Sequence, residues 1–196
     1  MASRLGQPVK AVAFDFDGVI TNLDIDWNDA IYMANQIAGY NVKSLLAFYE
    51  TNHGTVVFRK VSAEMEKLEL AAIRTAKPKP GIDGLLKALK TKQIPLYVVS
   101  MQSLKPIQVF LSQHKLADYF SGVVTREDCA NKADQIECVA ATTGLNLNQI
   151  LLVDDHRRNI EKCRELGAVC FQVKTCQNPK EAREAWAEIL RLVGAA

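Results

Sequence analysis

Apolar positions along this chain recur in two rhythms. The first is a compact run, Val9, Ala11, Val12, Ala13 and Phe14, halted by Asp15-Phe16-Asp17-Gly18. A short run rich in β-branched and aromatic residues and closed by a turn signal predicts a buried strand. From Asn22 the rhythm becomes helical. Asp26 or Asn28 caps a helix ending at Ala38, with Trp27, Ile31, Ala34 and Ile37 approximately on one face, and Gly39-Tyr40-Asn41 breaks it. A second helix over 43–51 carries Leu45, Leu46 and Tyr49, and Asn52-His53-Gly54 closes it as a loop. A longer pattern over 56–76 carries Val57, Val61, Met65, Leu68, Ala72 and Arg74, and stops at Lys77-Pro78-Lys79-Pro80-Gly81, where two prolines forbid continuation.

Beyond Pro80 the two rhythms alternate. Helices are expected over 81–92, 104–114, 130–143, 157–166 and 179–193, and strands over 94–100, 122–124, 149–154 and 168–173. Apolar strands alternating with amphipathic helices imply an α/β fold, a doubly wound parallel sheet with helices on both faces. Residues 22–79 then read as an all-helical insertion after the first strand, leaving 1–21 and 80–196 as the α/β core. Ligands of such sheets bind beyond the carboxyl ends of the strands.

Composition narrows the class without naming a reaction. Of 196 residues 48% are hydrophobic and 23% charged, as in a globular protein with a sizeable core. A formal charge of +2 with scattered Lys and Arg gives no footprint for nucleic acid or a membrane surface. The opening MASRLGQPVK has no apolar segment of a secretory signal, and no stretch is long enough to span a membrane. Cys129, Cys138, Cys163, Cys170 and Cys176 are odd in number and lack CxxC spacing, which predicts reduced, packed thiols in a cytoplasmic protein.

Chemistry gathers at the strand ends. Asp15 and Asp17, two apart after a strand, crowd two carboxylates, a repulsion that a hard divalent cation such as Mg²⁺ relieves. Gly18 lets the backbone turn tightly or approach a ligand. Ser100 ends IPLYVVS, Lys132 opens the helix after Asn131, and Asp154-Asp155 end QILLVDD. Taken singly, Ser100 suits a helix cap, Lys132 a solvated surface, Asp154-Asp155 an N-cap, and Asn159 is balanced between surface and site. Lys105 rivals Lys132. His53, His114 and His156 show no metal spacing. Trp27, Tyr32, Phe48, Tyr49 and Phe58 are expected in the core of the insertion, and Arg59 and Lys60 on a solvated face.

Asp-Phe-Asp-Gly-Val-Ile-Thr, then Ser100, Lys132 and Asp154-Asp155, each at a strand–helix junction, resemble the motif series of the haloacid dehalogenase superfamily in its phosphatase form. The insertion resembles the helical cap of the branch containing phosphoglycolate phosphatases and β-phosphoglucomutases, though under sixty residues is short for it. The resemblance implies a Rossmann-like core with a small cap, and a Mg²⁺-dependent phosphatase of small phosphorylated metabolites, monomeric or homodimeric. It implies Asp15 as nucleophile, Asp17 as general acid/base, and Lys132 against the transferring phosphoryl group. Ser100 and the backbone N–H groups of Met101 and Gly18 would hold phosphate oxygens. The metal would lie among Asp15, the Asp17 carbonyl, Asp154 and, through water, Asp155, with Asn159 ordering that site. Asp17 disfavours a dehalogenase. Lys43, Lys60 and Lys67 are candidates for a phosphonatase lysine by composition alone. A phosphomutase, a non-catalytic phosphate-binding or regulatory protein, and a subunit whose cap binds a protein partner remain alternatives.

Overall fold

A computed structural model describes residues 8–173 and 178–194, so Cys176 lies outside the described residues. Five strands, β1 (Ala11–Phe14), β2 (Leu96–Val99), β3 (Gly122–Val124), β4 (Ile150–Asp154) and β5 (Val169–Gln172), form one sheet in the order β3-β2-β1-β4-β5. Every pairing is parallel. Three helices, α1 (Trp27–Ala38), α2 (Leu45–Asn52) and α3 (Val56–Ala72), separate β1 from the rest. The remaining helices are α4 (Ile82–Thr91), α5 (Leu104–Gln113), α6 (Lys132–Thr143), α7 (Arg157–Glu165) and α8 (Pro179–Leu192).

Side-chain alternation along each strand builds the two faces. Val12 and Phe14, Leu96 and Val98, and Leu151 and Val153 join one core with α4, α5 and α8. Ala11 and Ala13, Tyr97 and Val99, and Ile150 and Leu152 join another with α6 and α7. A strand buried on both sides must be apolar at every position, and β1, β2 and β4 are buried throughout.

The expected helices are present with ends shifted by a few residues, the largest difference being α3, which stops at Ala72 short of position 76. Its Ile73 cap residue and the Thr75 and Ala76 amides bond back to Glu69 and Ala72 carbonyls, so the chain unwinds in turns before reaching the prolines. Asp26 caps α1 by accepting from the Asn28 and Asp29 amides, Ser44 caps α2 and Thr55 caps α3. The fully buried face of α1 is narrower than its sequence suggests. Ala30 and Ala34 are buried, Ile31 and Ile37 only partly so, and Trp27 is 39% exposed.

The chain enters and leaves the helical segment through a short tie. Thr21 bridges to Pro78, the Thr21 hydroxyl donates to the Lys77 carbonyl at 2.8 Å, and the Lys79 amide donates to the Ile20 carbonyl at 2.8 Å. The three helices share a third apolar cluster that includes Met101, from the loop after β2, and so rest on the strand ends. Among the described residues no helix is long and apolar enough to cross a membrane. Cys129, Cys138, Cys163 and Cys170 are free thiols, Cys163 fully buried and the others partly so.

Candidate active site

The carboxyl ends of β1, β2 and β4 lie side by side, and the chain places an acid, a hydroxyl and an acidic pair just beyond them. Asp15 and Asp155 border a pocket of about 400 Å³ between the sheet and the helices α1–α3, with Ser100 and Asp154 buried behind its lining. Asp15 and Asp17 both line it, while Phe16 between them is buried in the core against Phe110. The strand-like alternation therefore persists one step past β1, aided by the Asp15 amide bonding the Val153 carbonyl at 2.8 Å.

Lys132 joins the strand ends. As the first residue of α6 it is 2% exposed, and its Nζ donates to Asp15 Oδ1 at 2.9 Å and to the Val99 carbonyl at 2.5 Å, with Asp154 Oδ2 at 3.6 Å. The surface reading of Lys132 is thereby excluded, and the rival Lys105 is exposed on α5. Asp15 Oδ1 also accepts from the Phe16 amide at 2.8 Å. Asp154 Oδ1 accepts from the His156 amide at 2.7 Å, and the Asn159 side chain donates to Asp154 Oδ2 at 3.0 Å. Asn159, balanced on sequence, thus holds a site carboxylate. Carboxylate oxygens of Asp15, Asp154 and Asp155 all lie within 4.8 Å of one another. Asp17 offers no side-chain oxygen to that trio; its Oδ1 accepts from the Leu23 amide at 2.7 Å.

These surroundings reshape the acids. Burial lifts Asp15 to about 6 against the opposing pull of Lys132, and Asp154 lifts it further. Burial lifts Asp17 to about 7, opposed by the Leu23 amide and aided by the charge of Asp15. Asp154 and Asp155 are also raised, burial being the main cause in both. Burial alone would lower Lys132, yet Asp15 and Asp154 outweigh it and hold the ammonium charged.

Two phosphate-binding expectations need revision. Gly18 donates its N–H to the Thr21 carbonyl at 2.8 Å, so that donor is taken by the turn and does not face the pocket. Gly18 serves the site sterically: its φ is +89°, and a Cβ there would fall 2.3–2.8 Å from the Asp155 carboxylate. Ser100 is fully buried, its Oγ paired with the Gln102 side chain and accepting from the Gln102 amide at 3.2 Å. Met101 and Gln102 line the pocket and Ser100 sits beneath them.

Sequence reading missed a second charged cluster. Arg126 is 0% exposed, and its guanidinium donates to Glu69 Oε1 at 2.5 Å, Ser62 Oγ at 2.7 Å, Ser103 Oγ at 2.6 Å and the carbonyls of Met101 at 2.9 Å and Ser62 at 3.0 Å. Glu69, 2% exposed, also accepts from the Ser103 amide at 3.0 Å. His53 contacts the Arg126 carbonyl through Nε2 at 3.1 Å. The cluster ties α3 to the loops after β2 and β3. Its signal was present: Phe58, Val61, Ser62, Met65, Glu69 and Ala72 share the buried stripe of α3, and an acid in such a stripe demands a partner. A looser tie lies opposite, where Glu50 of α2 meets Arg158 at 3.0 Å and Lys162 at 2.6 Å of α7 at the surface. Among the aromatic residues expected in the helical core, Phe48, Tyr49 and Phe58 are there, whereas Tyr32 and Trp27 are exposed, and Trp27 lines the pocket.

A parallel sheet with an acid pair, a lysine and a second acid pair at its carboxyl edge, overlaid by a helical insertion, defines a Rossmann-like hydrolase class. The model of the haloacid dehalogenase-like hydrolases matches residues 12–173, and the chain belongs to that family. A phosphoglycolate phosphatase of Synechococcus elongatus is 25% identical over 103 residues, covering 53% of this chain and 49% of the relative, so the match spans about half that protein's length. A phosphoglycolate phosphatase of Photorhabdus laumondii is 22% identical over 192 residues, covering 87% and 82%. A haloacid dehalogenase-like hydrolase from Streptococcus pneumoniae superposes with a TM-score of 0.63 at 18% identity, covering 93% of this chain and 97% of the other. A haloacid dehalogenase superfamily hydrolase from Geobacter sulfurreducens does so with 0.61 at 19%, covering 99% and 100%. Both show the same fold.

Proposed function

We propose that this protein is a Mg²⁺-dependent phosphatase that hydrolyses a small phosphomonoester through an aspartyl-phosphate on Asp15. The observation that carries this reading is Lys132 Nζ, buried between Asp15 and Asp154 beside a protonatable Asp17. The curated relatives, both named phosphoglycolate phosphatase, support the reaction class. Residues 22–79 act as a cap over a core formed by 1–21 and 80–196.

Asp15 Oδ1 is held by Lys132 and Phe16, which leaves Oδ2 to attack phosphorus. A P–O bond to Asp15 forms as the ester P–O bond breaks, and Asp17 gives its proton to the departing alkoxide. Water then attacks phosphorus, Asp17 takes its proton, and the acyl phosphate opens to restore the Asp15 carboxylate and release inorganic phosphate. Two neighbouring acids raised to about 6 and about 7 suit this division, with the lower one ionised while the higher retains a proton. Lys132 offsets charge on the transferring phosphoryl group. The Met101 amide, with Ser100 bracing its loop from below, would bind a phosphate oxygen.

The acidic trio fits a divalent cation by donor chemistry and by charge, since three carboxylates face one lysine. Asp15, Asp154 and Asp155 would hold Mg²⁺, together with the Asp17 carbonyl, and the bound ion would lower repulsion between carboxylate and phosphate. The test is phosphate release from a panel of small phosphomonoesters, with and without Mg²⁺, for the wild type and Asp15→Asn. Turnover that requires the metal and disappears in the variant is expected. Absence of release from every ester with folded, Mg²⁺-loaded protein overturns the reading.

A further inference from the structure

Much of the pocket wall facing Asp15 and Asp17 has no part in that chemistry. Trp27 and Ile31 of α1, Leu45, Leu46 and Tyr49 of α2, and the side chain of Met101, of which only the amide is assigned to phosphate, make it largely apolar. Ile31, Leu45, Leu46, Tyr49 and Met101 are also members or neighbours of the cluster that holds α1–α3 together. Trp27 lines the pocket and is 39% exposed. Helix α1 is seated through buried Ala30 and Ala34, with Ile31, Met33 and Ile37 packed partly against the same cluster.

Charge on this wall is sparse. The helical segment contributes Lys43 as its one lining cation and Glu69 as its one lining acid, and Glu69 is already bound by Arg126. A leaving group as short and polar as glycolate would leave the indole and the leucines facing water. A leaving group with a ring would cover them, and aromatic surface is where such burial yields the most.

We propose that the substrate's leaving group carries an aromatic ring that packs against Trp27, making the substrate class a ring-bearing phosphomonoester. This rests on the phosphatase reading above. Trp27 is then the residue that sets specificity, acting on the departing alcohol and not on the phosphoryl group.

The test compares phosphate release from 2-phenylethyl phosphate and 2-phosphoglycolate by the Mg²⁺-loaded wild type and Trp27→Ala. The expected wild-type preference in kcat/KM is about tenfold or more for the ring-bearing ester, and Trp27→Ala erases most of it through KM. A wild type that prefers 2-phosphoglycolate, or a variant that keeps the wild-type ratio, overturns the proposal. A second readout needs no turnover. Of the two tryptophans, Trp186 is buried in the core, so 3-phenylpropylphosphonate should change the fluorescence of the wild type and not that of Trp27→Phe. Release from neither ester, with that fluorescence change present, sinks the phosphatase reading and keeps the ring-binding site. Preferred release from 2-phosphoglycolate, with no change through Trp27, does the reverse. Silence in both assays overturns both.

Discussion

Two buried charge clusters border the same pocket and are built on opposite principles. Around Arg126, one guanidinium meets buried Glu69 and, at 3.9 Å, the partly exposed Glu127, and the remaining donors go to hydroxyls and carbonyls of Ser62, Ser103 and Met101. Around Lys132, one ammonium faces Asp15 and Asp154 with Asp155 and Asp17 close by. In the first, the buried cation is matched by one buried carboxylate and every guanidinium nitrogen has a partner. The second carries excess negative charge, which adds to burial, the larger cause, in raising the affinity of its acids for protons. Burial of charge is common to both, so burial alone does not mark a catalytic site. The excess distinguishes the proposed catalytic cluster, because it suits a place where a cation and a proton would be handled.

The sharpest separation comes from deleting one member of each. Asp15→Asn removes the proposed nucleophile, and phosphate release should fall by a factor on the order of a thousand or more. Because it also removes a negative charge from an over-acidic cluster, thermal denaturation without Mg²⁺ should show a Tm that is unchanged or raised. Arg126→Met should do the opposite. It strands Glu69 inside the protein and releases the Met101 and Ser62 carbonyls, at a cost of roughly 3–5 kcal/mol in denaturant unfolding. The double variant Arg126→Met/Glu69→Leu should recover most of that loss, since an ion pair replaced on both sides by apolar groups is often neutral. If Asp15→Asn proved the more destabilising of the two single variants, the contrast between the clusters would collapse.

Protons probe the same contrast at intermediate size. Asp15 at about 6 and Asp17 at about 7 lie above the ordinary value of 3.8. Folding therefore takes up protons between pH 4 and 7, and stability of the metal-free protein falls as pH rises through that window. The effect is on the order of a few kcal/mol between pH 4 and 8. Mg²⁺ at pH 8 should restore much of it by supplying the missing positive charge. Tm measured against pH with a chelator and with Mg²⁺ checks this, and two parallel curves would refute it.

How much of this was legible in the sequence follows from how each feature is encoded. Strands buried on both faces write continuous apolar runs, so β1, β2 and β4 could be read directly, and with them the acids at their ends. Lys132 was legible only through the order of the set, because a lysine at a helix start has no local mark of burial. Arg126 and Glu69 were not read, since their burial depends on α3 meeting the loops after β2 and β3 across 57 residues of sequence. The Gly18 N–H was assigned to phosphate by the family resemblance, and sequence carries no mark that the turn itself uses that donor at Thr21. Trp27 shared a helical face with Ile31 and Ala34 on paper. Ala30 and Ala34 are the fully buried positions of α1, Ile31 packs partly, and Trp27 stays exposed at the pocket.

Asn159 offers the smallest and finest test, because it belongs to the acidic cluster without adding charge. Its side-chain amide donates to both oxygens of Asp154, at 3.3 Å and 3.0 Å. Those bonds fix the plane of a carboxylate that otherwise is held by the His156 amide on Oδ1 and by Lys132, 3.6 Å from Oδ2. Removing them in Asn159→Ala leaves every proposed ligand in place and the net charge unaltered, so a purely electrostatic site would not notice. A site whose function depends on orientation would lose roughly tenfold or more in Mg²⁺ affinity, as is usual when a group that positions a ligand is deleted. Mg²⁺ titration followed by calorimetry, with kcat read at saturating metal, separates the two. Weaker binding with kcat largely recovered at saturation identifies Asn159 as a positioning residue. Unchanged affinity would mean that charge excess alone, the property that distinguishes this cluster from that of Arg126, is sufficient to hold the ion.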